Sequence, residues 1–373
     1  MNNRKTLVII TIVLIAGLLS GCTAGAGIAS SWPGISADED KGYFAYGSEI
    51  FALDAKNGSL IWRFPASPDA KTQFFAAPAV SEDQVIAGSY NNTLVAIDKN
   101  NGSEKWTFAH ARDRYIASPL VVGDKVFAPN TDKHLYALNT SGDLLWSFKT
   151  AGPNWTKPVS NEQYVYLASM DHFLYALNLE YSSAALAVDT TGSRTLVEKP
   201  VWSVDLGTAV VADPVIVEGK ILVATIDGKL YCVDSASGKI AWTFEDGDQY
   251  NSIWGSPVVT DEAIYFGNEN GEIFAVSPET GKALWPAPYS AGGQMIAGGI
   301  AVDGGVMFVN QQGKVFSINA AKEPMPVVTL DTVMYATPKA AGANILLAPA
   351  TKEKLFMAID LSGNEVWSFT TSK

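Results

Sequence analysis

Three features of the sequence predict one fold class, an all-β, eight-bladed propeller of four-stranded antiparallel blades. A short motif returns eight times at intervals of roughly 42 residues, inside the 40–45 range of propeller repeats. Each copy breaks into four short β-rich runs divided by turn residues. The composition is Gly-rich and aromatic, with 32 Gly, 10 Trp, 14 Tyr and 16 Phe in 373 residues. Only 17% of residues are charged and 47% are apolar, which excludes a disordered chain. The formal charge of −12 opposes a general nucleic-acid binder, because an acidic surface repels phosphate.

The motif reads Ala52-Leu-Asp54, then Asn57-Gly58, then Trp62. It returns with Trp106, Trp146, Trp242, Trp285 and Trp367 as its tryptophans. Two copies are degenerate. One begins at Ala176 and reaches Trp202 only after an insertion near Leu179–Pro200, and another has Val327 where Trp is expected. In the second copy the strands are expected at Pro78–Val80, Val85–Gly88, Thr93–Ile97 and Lys105–Phe108. The second-to-third connection is a tight polar hairpin such as Asn91-Asn92 or Asp227-Gly228. In the third-to-fourth connection an Asp or Asn side chain accepts bonds from turn amides, and Gly takes the left-handed position. The outer-strand Trp is expected to lie over the small residue of the third strand. A lone blade cannot cover both of its faces, so eight blades bury them on one another.

The domain order is a signal at 1–21, a tether at 22–31 and the propeller at 32–373. Arg4 and Lys5 precede the apolar run Leu7–Leu19, which is too short for the roughly 30 Å hydrocarbon core. This arrangement reads as a secretory signal. Leu19-Ser20-Gly21-Cys22 resembles the bacterial lipobox, which implies cleavage before Cys22 and its acylation. Membrane lipid is then a partner through Cys22, and the small residues Thr23–Ser31 suit a flexible tether. No second long apolar run follows. The expected location is extracytoplasmic and lipid-anchored, at the outer membrane if one is present and otherwise at the cell surface.

The repeats resemble the tryptophan-docking repeats of pyrroloquinoline-quinone (PQQ) type propellers over essentially the whole mature chain. Two branches matter. Quinoprotein dehydrogenases bind PQQ and a metal ion at the channel. The BamB-type lipoproteins carry no cofactor and serve as scaffolds for outer-membrane β-barrel assembly. Size, lipobox and one-domain layout resemble the second branch.

The candidate chemistry is sparse. The adjacent cysteine pair that quinoproteins place against their cofactor does not occur, nor does a C-x-x-C-H haem motif. No catalytic residue, cofactor site or metal site is assigned. Cys232 occupies the small-residue position of its copy and reads as a packed core thiol. His134 and His172 lie in equivalent hairpins of adjacent copies and read as turn-exposed polar residues rather than metal ligands. His110 stands alone. Asn57-Gly-Ser59 and Asn101-Gly-Ser103 read as turn chemistry rather than glycosylation sites.

The segments leading into each first strand depart from the docking pattern and ring one mouth of the channel. Phe75, Arg114, Tyr115, Trp155, Tyr250, Trp254, Met295 and Tyr335 are the candidates there for contact with a partner or ligand. An aromatic rim with few charges suits a peptide or small ligand, while packing beneath the loops explains the same residues equally well. The expected function is a non-enzymatic extracytoplasmic scaffold for an envelope protein or peptide. The alternatives are a divergent PQQ-binding quinoprotein and a cell-surface ligand-binding or sensor lipoprotein.

Overall fold

The computed structural model describes residues 33–371 apart from 190–191, 246, 248–250, 350 and 352. Cys22, Trp32 and Tyr250 lie outside the described residues. Eight antiparallel sheets follow one another at 34–64, 79–108, 120–149, 159–205, 215–245, 258–290, 300–329 and 339–369, taken below as blades 1 to 8. The first strands of neighbouring blades approach one another, including blades 8 and 1, and so surround a central axis. The protein is an eight-bladed β-propeller.

Blade 2 comprises Ala79–Val80, Gln84–Gly88, Leu94–Asp98 and Glu104–Phe108, within one residue of each boundary the sequence suggests. Its third-to-fourth turn forms because the Asp98 carboxylate accepts from the backbone N–H groups of Asn100 and Asn101 at 2.9 and 3.1 Å. Gly102 closes the turn with a φ of +75°.

The hydrophobic core lies between blades rather than at one centre. Tyr43, Ala45 and Ile50 of blade 1 pack with Val85 and Ala87 of blade 2. Their neighbours Phe44 and Phe51 turn the other way, onto Leu346 and Phe356 of blade 8. Strand alternation thus gives every blade two buried faces. Each fully buried aromatic side chain contributes about 1.5–3 kcal/mol of burial.

The tryptophans join the blades in one direction. Trp62 is the cross-strand partner of Ala52, and it also reaches the next blade. There its indole N–H donates to the Lys99 carbonyl at 2.9 Å, and its ring packs against Gly102. Trp106 docks on Gly142 and Thr140, Trp202 on Gly238 and Ser235, and Trp242 on Gly281 and Pro278. In blade 7, Val327 and Val328 fill the place of the missing indole against Gly363.

Two features depart from the expected regularity. The outer strand of blade 6 shrinks to Tyr289–Ser290, and Trp285 precedes it rather than lying within it. Pro286 and Pro288 break the ladder there because proline has no N–H to donate. Trp285 nevertheless bonds the Lys322 carbonyl at 3.1 Å.

The second departure is the insertion. Its strands Ala187–Val188 and Arg194–Val197 form a hairpin, and the latter pairs parallel with the outer strand of blade 3, Leu144–Lys149. The insertion belongs to blade 4 in sequence but extends the sheet of blade 3 to six strands. Its outermost strand leaves Val188 exposed.

Candidate functional site

The lead-in loops of blades 2 to 8 are each stapled to the second-to-third hairpin of the preceding blade. Phe74 N donates to Gly47 O, Tyr115 N to Ser89 O, Asn154 N to Asn130 O and Met295 N to Asn268 O. The stapled residue is buried in each case, with Tyr115, Asn154 and Met295 at 0% exposure. The next residue in each loop stands at a second, shared position. Trp155, Trp254 and Tyr335 are half-buried there, and Phe75 is 6% exposed.

The seven described mouth candidates therefore divide between registers, Tyr250 lying outside the described residues. Phe75, Trp155, Trp254 and Tyr335 share one register, while Tyr115 and Met295 sit one residue earlier and lie beneath the loops. Arg114 is exposed. Ile116, Val211 and Ile296 occupy the same register as Trp155, and as aliphatic residues they carry no aromatic signal in the sequence. Counting from the proline or glycine that ends each loop (Pro78, Pro119, Pro158, Pro214, Pro257, Gly299, Pro338) aligns them all.

Part of the rim is a continuous aromatic cluster. Phe75 packs edge-on against Tyr90 at 5.0 Å and against Tyr46 at 6.2 Å. The Arg114 guanidinium lies 5.7 Å from the Tyr90 ring centre, within cation–π range. Tyr46 and Tyr90 come from second-to-third hairpins, outside the lead-in segments that the sequence marks as the rim. The indole nitrogen of Trp155, the amide nitrogen of Asn154 and the hydroxyl of Tyr115 are buried without a hydrogen-bond partner.

Three ionisable groups stand where the chain enters its first strands, Lys157, Asp213 and Lys339. The Asp213 carboxylate accepts from the Lys157 backbone N–H at 2.7 Å. Burial pushes the Asp213 carboxyl above the usual carboxylate range. Burial, followed by the like charge of Lys157, pulls Lys339 below the usual lysine range, against the opposing pull of Asp213. Lys157 and Asp213 lead into blades 4 and 5, while Lys339 opens blade 8 on the far side of the ring. The three groups therefore stand at the inner, first-strand side of blades on two sides of the ring.

The two hairpin histidines have separate carboxylate neighbours. His134 Nδ1 lies 3.2 Å from Asp132 Oδ1, and His172 Nδ1 lies 2.8 Å from Asp205 Oδ1. Cys232 is fully buried opposite Trp242, and burial pushes its thiol up to about 11. Such a thiol is a packing group rather than a nucleophile at neutral pH.

Docked tryptophans, glycine-closed turns and eight whole blades define a PQQ-type tryptophan-docked propeller. Within that class, the chain belongs to the family described as outer membrane protein assembly factor BamB, whose pattern matches residues 29–199 and 180–369. The BamB of Yersinia pestis is 23% identical over 204 residues, which is 53% of this chain and 49% of that protein. The BamB of Salmonella typhimurium is 24% identical over 196 residues, or 49% of this chain and 45% of its own. The chain thus spans about half the length of these curated relatives. Among solved structures, BamB from Moraxella catarrhalis superposes with a TM-score of 0.67 at 16% identity, covering 85% of this chain and 93% of that one. The computationally designed protein Ika8 gives the same TM-score of 0.67 at 12% identity, over 92% and 98% of the two chains. Likenesses this distant report the fold alone.

Proposed function

We propose that this protein is an extracytoplasmic, lipid-anchored scaffold of outer-membrane protein assembly that receives a protein partner on its channel mouth. The observation that carries the reading is the family match across nearly the whole folded body. The Leu19-Ser20-Gly21-Cys22 sequence adds an anchor, because two acyl chains give stable membrane residence where one gives only marginal binding. The rim suits a protein ligand. Trp155, Trp254, Tyr335 and the Phe75–Tyr90–Arg114 cluster combine aromatic area with a cation, the residue types that dominate interface hot spots.

Photo-crosslinking from position 254 or 335 in intact membranes tests this reading. Adducts with a component of the barrel-assembly machinery are the expected result. Adducts only with a transporter or a small-molecule uptake system would instead favour the ligand-binding lipoprotein.

A further inference from the structure

Two blades close the gap to the next blade with a side-chain amide. Gln84 Nε2 of blade 2 donates to the Thr140 carbonyl at 2.9 Å, and Asn344 Nδ2 of blade 8 donates to the Ala55 carbonyl at 2.8 Å. Each amide stands on the first residue of its second strand. The same register holds Ala263 in blade 6 and Gly305 in blade 7. Neither residue can reach across.

Open cavities stand where the amide is missing. One of about 380 Å³ lies between blades 6 and 7. It shares Val259 and Thr260 with a second, of about 260 Å³, between blades 5 and 6. It shares Val302 and Ile318 with a third, of about 200 Å³, which reaches the Leu361 turn of blade 8. The three adjoin as a trough walled by first-to-second hairpins and third-to-fourth turns. The mouth is built from the opposite strand ends.

The trough combines apolar surface with unbalanced charge. Met325 and Leu361 in its wall are 47% and 41% exposed, and exposed apolar patches rimmed by polar residues mark interaction sites. The rim carries Glu218, Asp261, Glu262, Glu279 and Asp303. Against them stand Lys220, in the wall of the second cavity, and Lys322, which pairs with Glu262. Five carboxylates facing two ammonium groups leave three negative charges in excess.

We propose that this trough binds an extended segment of a partner protein that carries both aliphatic and basic residues. The apolar walls suit the aliphatic side chains, and the excess carboxylates suit Lys or Arg, since partner surfaces meet with complementary charge. A phospholipid surface fits poorly, because its phosphates are repelled by such a rim. The trough and the mouth lie at opposite ends of the blades, so this inference stands independently of the mouth reading.

The test uses the full chain, ¹³C-labelled at its methionine methyls, titrated with the blocked peptide acetyl-Val-Lys-Val-Lys-Val-amide. The Met325 methyl resonance is assigned by its loss in Met325→Leu. The expected result is a saturable shift of that resonance, with Met295 and Met334, buried beneath the mouth loops, unmoved. The same peptide with Glu in place of Lys should give no response. Asp261→Asn combined with Asp303→Asn should weaken binding by about two- to thirtyfold, the effect of two exposed charge pairs, and both positions are exposed enough to leave the fold intact. A Met325 methyl that ignores excess peptide overturns the proposal, as does an equal response to the Glu peptide or unchanged affinity in the double variant. Shifts confined to Met295 and Met334 would place the peptide at the mouth and equally overturn it. A Met325 shift that follows protein concentration alone would make a second copy the occupant, with the same consequence.

Discussion

The indole nitrogen of Trp367 donates to the carbonyl of Ala55, 312 residues earlier in the chain, at 2.9 Å. The same carbonyl accepts from Asn344 Nδ2 at 2.8 Å. Nearby, Phe44 and Phe356 stack with ring centres 4.2 Å apart. These contacts close the ring. All four strands of blade 1 and all four of blade 8 are consecutive in sequence, so closure uses side-chain packing and docking instead of a shared sheet. The first and last blades are held by the same kind of interface as any other pair.

That equivalence is measurable. Trp367 and Trp62 are 7% and 6% exposed, and truncating a buried Trp costs about 3–5 kcal/mol. Trp367→Ala and Trp62→Ala should therefore lower stability by similar amounts in denaturant titration. Trp106 is only half-buried, and Trp106→Ala should fall near the low end of that range. Trp155→Ala, at the mouth with no bond to lose, should cost clearly less than any of them. Equal losses at Trp155 and Trp367 would refute the division between docking and rim tryptophans.

The docking glycines supply a second test. Gly102 has φ of +75°, and a Cβ there would lie 2.9 Å from Trp62 Cβ and Cγ. Gly123 has φ of +57°, but a Cβ there would meet nothing within 4 Å. Both alanine variants meet the left-handed backbone cost of about 1–2 kcal/mol, and only Gly102→Ala must also displace the indole. Gly102→Ala should thus be the less stable of the two and should alter near-ultraviolet dichroism, while Gly123→Ala should not. Matching stabilities would mean that the indole does not depend on a bare backbone.

Much of the fold is legible from the sequence because the repeat carries its own chemistry. Asp98, Gly102 and Trp106 mark a turn, a left-handed residue and a docking ring at fixed spacing, so strand count and blade boundaries follow. What each indole reaches is less legible. Trp62 contacts a glycine 40 positions later, and only the ring geometry brings the two together. The insertion shows the same limit, since nothing local in Arg194–Val197 says that it pairs with a strand of the previous blade. At the mouth, one residue of register separates buried Tyr115 from half-buried Trp155, and an aromatic content alone does not encode that difference.

Anchoring gives a prediction that needs no structure of the leader. Thioether acylation requires the Cys22 sulfur, so Cys22→Ala should move the protein from the membrane to the soluble extracytoplasmic fraction after a salt wash. The folded body should keep its thermal midpoint, because Cys22 precedes the first blade strand in sequence. Retention of the variant at wild-type levels would remove the lipid anchor from the proposed function.

The channel charges make the last prediction, and its sign can be worked out. Burial and the neighbouring Lys157 depress the folded-state pKa of Lys339, with Asp213 opposing them. In the unfolded chain lysine titrates near 10.4. Between the depressed folded value and that value the unfolded state binds more protons, so this residue's contribution to stability rises with pH. At neutral pH the charged ammonium is therefore a net cost. Lys339→Met removes that cost and should stabilise the protein at pH 7. The gain should shrink as pH rises through the folded pKa of Lys339, and it should be nearly gone above the unfolded value. Asp213 then loses a favourable neighbour, so its carboxyl, already raised by burial, should titrate higher still in the variant. Denaturant titrations of both proteins from pH 6 to pH 10.5 measure the difference directly. A constant gain across that range would assign the effect to packing, and a loss at pH 7 would mean that the attraction to Asp213 outweighs burial.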